Sequence, residues 1–200
     1  MNRKQHWETV YETKTPNQVS WTQAVPKTSL ELIRACEGYK TKSIIDIGGG
    51  DSNLVDFLLG DGCENVTVLD ISAKALNRAK TRLGSEANKV KWIVSDINEF
   101  IPTESYAIWH DRAAFHFLTE PTQINRYVET VNQSVTENVI VGTFSQDGPK
   151  KCSGLDITQY SEIKMCETFS DFEKAFCKTE IHTTPFETTQ HFIFCKFKKS

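Results

Sequence analysis

The sequence predicts an α/β protein built on a doubly wound, mostly parallel sheet whose last strand runs antiparallel. Three observations carry this. From residue 28 onward, short apolar runs alternate with segments of helical periodicity, the pattern of a parallel sheet covered by helices on both faces. The first run, SIIDI (43–47), breaks abruptly into Gly48, Gly49 and Gly50 and then a polar helix start, which reads as strand, tight turn and helix. The stretch EIHTTPFETTQHFIFCKFKK (180–199) holds two runs with alternating Phe192, Phe194 and Phe197. Their connection is too short for a parallel return, so they pair antiparallel.

Taken in order, residues 1–27 form a polar arm dotted with Trp7, Tyr11 and Trp21. TSLELIRAC (28–36) opens the core as a helix, with Thr28 and Glu31 at the spacing of a capping box. After SIIDI, the apolar Leu54, Val55, Phe57, Leu58 and Leu59 mark a helix that stops near Gly60 and Gly62. NVTVLD (65–70) is the second strand. Ser72 then caps a helix with Ala75, Leu76, Ala79 and Leu83 on its inner stripe and Gly84 as its stop. KVKWIVSD (89–96) and SYAIWHD (105–111) are the third and fourth strands. Pro121 begins a helix carrying Ile124, Tyr127, Val128, Val131 and Val135, and NVIVGTF (138–144) is the fifth strand. SEIKMCETFSDFEKAF (161–176) is helical at least in its first half. With the terminal pair this makes seven strands in one domain, residues 1–200, comprising the arm (1–27) and a core (28–200).

Composition narrows the function classes. The 200 residues are 38% hydrophobic and 24% charged, ordinary for a globular chain long enough to bury a real core. A formal net charge of −3 argues against a dedicated nucleic-acid binder, and the KFKKS tail reads as a solvated terminus. The start, MNRKQHWETVYETK, lacks the apolar centre of a signal peptide, and no run approaches a membrane span, so a cytoplasmic protein without a membrane partner is expected. The six cysteines, at 36, 63, 152, 166, 177 and 195, include no CxxC pair and are expected to be reduced, mostly packed thiols. His6, His182 and His191 have no spacing that suggests a metal site, so no metal is expected. Oligomeric state leaves no signature.

The glycine turn brings bare backbone to the carboxyl end of the first strand, where a ligand sits in this kind of sheet. Asp70 ends the second strand, where a carboxylate accepts hydrogen bonds from vicinal ribose hydroxyls. Asp96 and Ile97 close the third, placed to flank an adenine. The ligand reads as an adenosine compound. NAD shares this plan, but its GxGxxG pattern meets Asn53 at the third glycine position, and Asp46, two residues before Gly48, suits a ligand with a cationic end better than a pyrophosphate. A Walker loop is excluded because no GK[ST] follows the glycines.

DIGGG, VTVLDIS, WIVSDI and the terminal strand pair, in that order, resemble the class I S-adenosylmethionine-dependent methyltransferases over residues 28–200. The resemblance implies a Rossmann-like fold and S-adenosylmethionine as cofactor. It implies that Asp46 contacts the methionine part, Gly48 and Gly50 let the backbone approach, Asp70 with Ile71 holds the ribose, and Asp96 with Ile97 meets the adenine. Ser52 stands where a third glycine of the DxGxGxG form can occur. The arm HWETVYETKTPNQVSW and WHDRAAFHFLTEP are similar to a bacterial subgroup of small methyltransferases without an added substrate domain. The arm is more remotely similar to protein-lysine methyltransferases, which carry a DKGT-like run where this chain has His110, Asp111, Arg112 and Ala113.

The expected activity is methyl transfer to an unidentified acceptor, a small molecule or a protein side chain; the alternative is a non-catalytic sensor that binds the cofactor without turnover. An NAD oxidoreductase is a third reading. His110, just past the methyl-transfer end of the fourth strand, is the candidate base, or else a pocket wall. Arg112 is a candidate for binding an acidic acceptor, or for pairing with Asp111 or Glu120. His116 is expected to pack. Trp7, Tyr11 and Trp21 are candidates for a lid over the acceptor, and CSGL (152–155) for a further acceptor wall.

Overall fold

The computed structural model describes residues 2–199. Seven strands form one sheet: β1 Ser43–Ile47, β2 Asn65–Asp70, β3 Val90–Val94, β4 Tyr106–Arg112, β5 Val135–Phe144, β8 Phe172–Thr183 and β9 Thr189–Lys199, with a separate two-residue hairpin of β6 Lys151–Cys152 and β7 Leu155–Asp156. The sheet order is β3-β2-β1-β4-β5-β9-β8. Strands β1 to β5 pair in parallel, and β9 is antiparallel to both β5 and β8. This is the mostly parallel Rossmann-like sheet with an antiparallel last strand. The order reverses at β1, which lies between β2 and β4, so the glycine turn after β1 opens at the switch point of the sheet.

Helices α2 Lys27–Arg34, α3 Leu54–Gly60 and α4 Ala73–Leu83 cover one face, and α5 Pro121–Ser134 and α6 Glu162–Thr168 cover the other. Side chains along each buried strand alternate between the two layers: Ile44, Val66 and Ile108 join Leu30, Ile33, Leu58 and Leu76, whereas Ile45, Leu69 and Trp109 join Tyr127, Val131, Met165 and Phe169. Trp109 is fully buried, and its indole N–H donates to Tyr127 Oη at 2.9 Å, which removes the cost of burying that donor. Ser72 caps α4 as expected, accepting from the Ala75 N–H at 3.2 Å, and Pro121 is the first residue of α5.

Four expectations are corrected. Pro26, not Thr28, stands at the N-cap of α2; the Thr28 hydroxyl turns inward and donates to the Glu180 carboxylate on β8, a partner far off in sequence that outcompetes the local box. Val135 is the first residue of β5 and not the end of α5, so helix passes into strand without a loop. Strand β8 begins at Phe172, eight residues before the terminal stretch read as two strands, while α6 fills the first half of 161–176 as expected. Cys177 and Cys195 lie directly opposite each other in the β8–β9 register and are disulfide-bonded; Cys36, Cys63, Cys152 and Cys166 are free thiols. Only the antiparallel register brings two cysteines 18 residues apart face to face. No helix among the described residues is long and apolar enough to cross a membrane.

Candidate active site

The turn after β1 is held open by geometry that a side chain would break. Gly48 has φ +64°, and a Cβ there would lie 2.5 Å from Ala114 Cβ; Gly50 has φ +46°, and its Cβ would meet Asp70 Oδ2 and Tyr11 Oη, each at 2.9 Å. Ala114 is positioned by Ala113, itself at φ 66°, a conformation rare for a residue with a Cβ.

Three carboxylates follow the strand ends. Asp46 is buried on β1, in register with His110 on β4. His110 donates its Nδ1–H to Asp46 Oδ1 at 2.7 Å, and its Nε2 lies 2.8 Å from Ser29 Oγ on α2. Both ring nitrogens are therefore engaged. Asp70 is buried at the end of β2, with Oδ1 accepting the Ser72 N–H at 2.8 Å. Burial, with Asp46 and Glu8 adding repulsion, pushes its carboxyl up to about 7, against the pull of the Ser72 and Gly50 N–H groups. Asp96, past the end of β3, accepts the Asn98 N–H at 2.9 Å.

These elements border two adjoining cavities. One runs from Ile71, Asp96 and Ile97 past Asp70 and Gly48 to Arg112, Phe144 and Cys152. The other is lined by Asp46, Gly48, Gly49, His110 and Ser29. Tyr11, Trp21, Gly48 and Arg112 line both. Of the residues nominated from sequence, Asp70, Ile71, Asp96, Ile97, Trp7, Tyr11, Trp21, Gly48 and Arg112 meet in the first cavity, and Asp46 and His110 open on the second. Gly50 lines neither; it lies behind, between Asp70 and Tyr11.

The arm packs over the first cavity. Its helix, α1 Arg3–Thr13, brings Trp7 to 5.0 Å from Phe117 and 5.6 Å from Trp21, ring centre to ring centre. Polar ties hold it, among them three sets of hydrogen bonds to backbone groups. Arg3 donates to the Phe117 carbonyl at 2.7 Å, and Arg78 donates to the Lys14 carbonyl at 2.7 Å. Glu8 accepts from the Ala73 N–H at 2.8 Å, the Lys74 N–H at 3.2 Å and the Ser72 hydroxyl at 3.1 Å, so a carboxylate from the arm satisfies the first turn of α4.

Sequence reading missed Glu8, Arg3, Ser29, Phe117 and Ala114. Each acts through a partner that only the fold brings near, and a local signal exists for none but Ala114, which follows the nominated His110–Ala113 run. Arg112 pairs with neither Asp111 nor Glu120. Neighbouring residues of a strand face opposite ways: Asp111 accepts from Tyr127 Oη and from the Ala114 and Phe115 N–H groups, while Arg112 lies over Phe192, 5.2 Å from the ring centre. Burial raises the Asp111 carboxyl to about 6 and lowers Arg112 to about 10. His116 is buried and stacked on Phe144, its pKa lowered to about 3 by burial first and then by Arg112. Cys152 of the CSGL stretch lines the first cavity.

Comparison with known proteins fits this geometry. A family described as a methyltransferase domain matches residues 44–138. The fold superposes on an S-adenosylmethionine-dependent methyltransferase from Anabaena variabilis (TM-score 0.76, 15% identity, 100% of this chain and 96% of that one). It also superposes on the N-methyltransferase NodS of Bradyrhizobium japonicum in complex with S-adenosyl-L-homocysteine (0.74, 15%, 100% and 99%). A third neighbour is the magnesium protoporphyrin IX methyltransferase ChlM of Synechocystis with bound cofactor (0.72, 14%, 100% and 98%). At such identities the superpositions speak for the fold alone. A search of curated protein sequences finds no match.

The fold is that of the class I methyltransferases. The chain is similar to a methyltransferase domain over residues 44–138, and the cofactor this likeness implies is S-adenosylmethionine. The site suits that molecule: a glycine cradle that a Cβ would fill, and a buried Asp70 whose ionised form gains from hydroxyl donors.

Proposed function

We propose that the protein transfers a methyl group from S-adenosylmethionine to a small-molecule acceptor. The observation that carries this reading is the docked arm: Trp7, Trp21 and Phe117 line the cavity beside Arg112, and the contacts of Arg3, Glu8 and Arg78 hold the arm against it, which leaves less room for a side chain of a folded protein than for a free molecule. A diffusible acceptor needs only a transient opening.

When bound, the cofactor supplies an electrophilic methyl group on its sulfonium. Asp70 holds the ribose hydroxyls, and Asp96 and Ile97 flank the adenine. Asp46 faces the cationic methionine end, and His110, fastened between Asp46 and Ser29, fixes the orientation of that carboxylate. In this reading His110 is a positioning residue, because neither ring nitrogen is free to take a proton from an acceptor. Gly48 lets the backbone approach, and the aromatic roof excludes water while the acceptor is aligned.

The test is calorimetric binding of S-adenosylmethionine, followed by transfer of a labelled methyl group into a metabolite extract and, separately, a protein extract. Label in metabolites supports the reading. Label in protein alone rejects the small-molecule acceptor. Binding without label in either extract favours a cofactor sensor.

A further inference from the structure

Arg112 ends β4 at the far side of the first cavity from Asp70 and Asp96. One guanidinium nitrogen, Nη1, donates to the Trp21 carbonyl at 2.8 Å. The other edge, Nε and Nη2, is sealed from solvent and has no hydrogen-bond partner. No Asp or Glu among the described residues lies within ion-pair distance of it. The two carboxylates whose fields reach it are already committed: Asp46 to His110, and Glu180 to Thr28 and Lys178. Burying an unpaired charged donor edge is costly, and folded proteins rarely leave one without a partner. The other side chains near it carry no opposing charge: Phe144, Trp21 and the Phe192 ring, the Cys152 thiol pushed up to about 11 by burial and so neutral, and the imidazoles of His116 and His182, whose pKa values burial and the Arg112 charge both lower.

We infer that the Nε/Nη2 edge of Arg112 is a subsite for a carboxylate on the methyl acceptor, which is thus an aryl or similarly apolar acid. A guanidinium edge matches a carboxylate in a two-bond, planar arrangement that an amide or alcohol does not reproduce. The aromatic roof of Trp7, Trp21 and Phe117 receives the apolar body. This rests on the methyltransferase reading and narrows its acceptor. The cofactor has a carboxylate of its own, but the edge lies on the β5 and β9 side of the cavity, across β4 from the strands that carry Asp46 and Asp70.

The protein is saturated with S-adenosylhomocysteine, whose own affinity is recorded, and titrated with benzoate, phenylacetate and hydrocinnamate, each against its primary amide. At least one acid is expected to bind about tenfold tighter than its amide. Arg112→Gln should erase the preference, Arg112→Lys should retain part of it, and both should leave S-adenosylhomocysteine affinity within about threefold. Acid–amide parity throughout, or no binding of any acid, overturns the inference while the methyltransferase reading stands. So does a large loss of S-adenosylhomocysteine affinity in Arg112→Gln with the preference for acid intact, which assigns the edge to the cofactor. The acid–amide comparison uses the unmutated protein and survives a variant that fails to fold. Failure of the unmutated protein to bind S-adenosylhomocysteine overturns both.

Discussion

Asp70→Asn separates the ribose assignment from mere burial. In the free protein, burial raises the Asp70 carboxyl from 3.8 to about 7, which corresponds to on the order of 4 kcal/mol of added ionisation cost. Ribose hydroxyls donate hydrogen bonds and favour the ionised form, so binding pulls the proton off. Going from about pH 6 to about pH 8, the ionised fraction climbs from roughly a tenth to roughly nine tenths, and S-adenosylhomocysteine affinity should rise about tenfold, or ~1.4 kcal/mol. Stability of the free protein moves the other way. The folded chain holds the Asp70 proton after the unfolded chain has released it, so stability falls as pH rises from about 4 to about 7 and then levels. Asp111, at about 6, has its contacts within the protein, with Ala114, Phe115 and Tyr127, and its titration is common to free and bound states. Calorimetry across this pH range on both proteins reads the effect. Asp70→Asn should bind more weakly and with a nearly flat profile. A tenfold rise that persists in Asp70→Asn would refute the ribose role.

Further outcomes follow from the same contacts. Gly48→Val, with its Cβ 2.5 Å from Ala114 at a left-handed φ, should lose cofactor binding by well over tenfold while the far-ultraviolet spectrum stays near native; unchanged affinity would remove the glycine cradle from the account. Glu8→Ala, which strips the arm's anchor from α4, should cost about 0.5–2 kcal/mol and speed both cleavage of the arm by trypsin and release of S-adenosylhomocysteine, seen by stopped-flow tryptophan fluorescence. Equal release rates would mean that the arm does not gate the site. His110→Gln loses a buried bond to a carboxylate worth about 1.5–3 kcal/mol, and should lower stability and cofactor affinity together; a fall in turnover alone, with a lost limb in the pH–rate profile, would return His110 to the role of base.

Much of the fold lay in local patterns. Alternating apolar runs, the stops at Gly60 and Gly84, the cap at Ser72 and the helix start at Pro121 each depend on neighbours within a few residues, which is why those elements appear where the sequence puts them. Asp46, Asp70 and Asp96 were visible for the same reason, since strand ends and glycine turns are written in consecutive residues. What stayed hidden depends on register and docking. Cys177 meets Cys195 only after β8 and β9 align, and Thr28 leaves its capping position for Glu180 across 152 residues. Glu8 serves a helix more than 60 residues away. For Arg112, proximity in sequence pointed to Asp111, but the two-residue repeat of a strand sends them to opposite faces.

The central claim is catalysis on a small acceptor, and transfer of label from methyl-labelled S-adenosylmethionine tests it most directly. A metabolite extract and a protein extract of the source organism are each incubated with the protein and, in parallel, with an Asp46→Ala, Asp70→Ala double variant. The account predicts label in an acidic, apolar small-molecule fraction with the unmutated protein and none with the double variant. Equal label with both proteins, or label confined to protein, would contradict it.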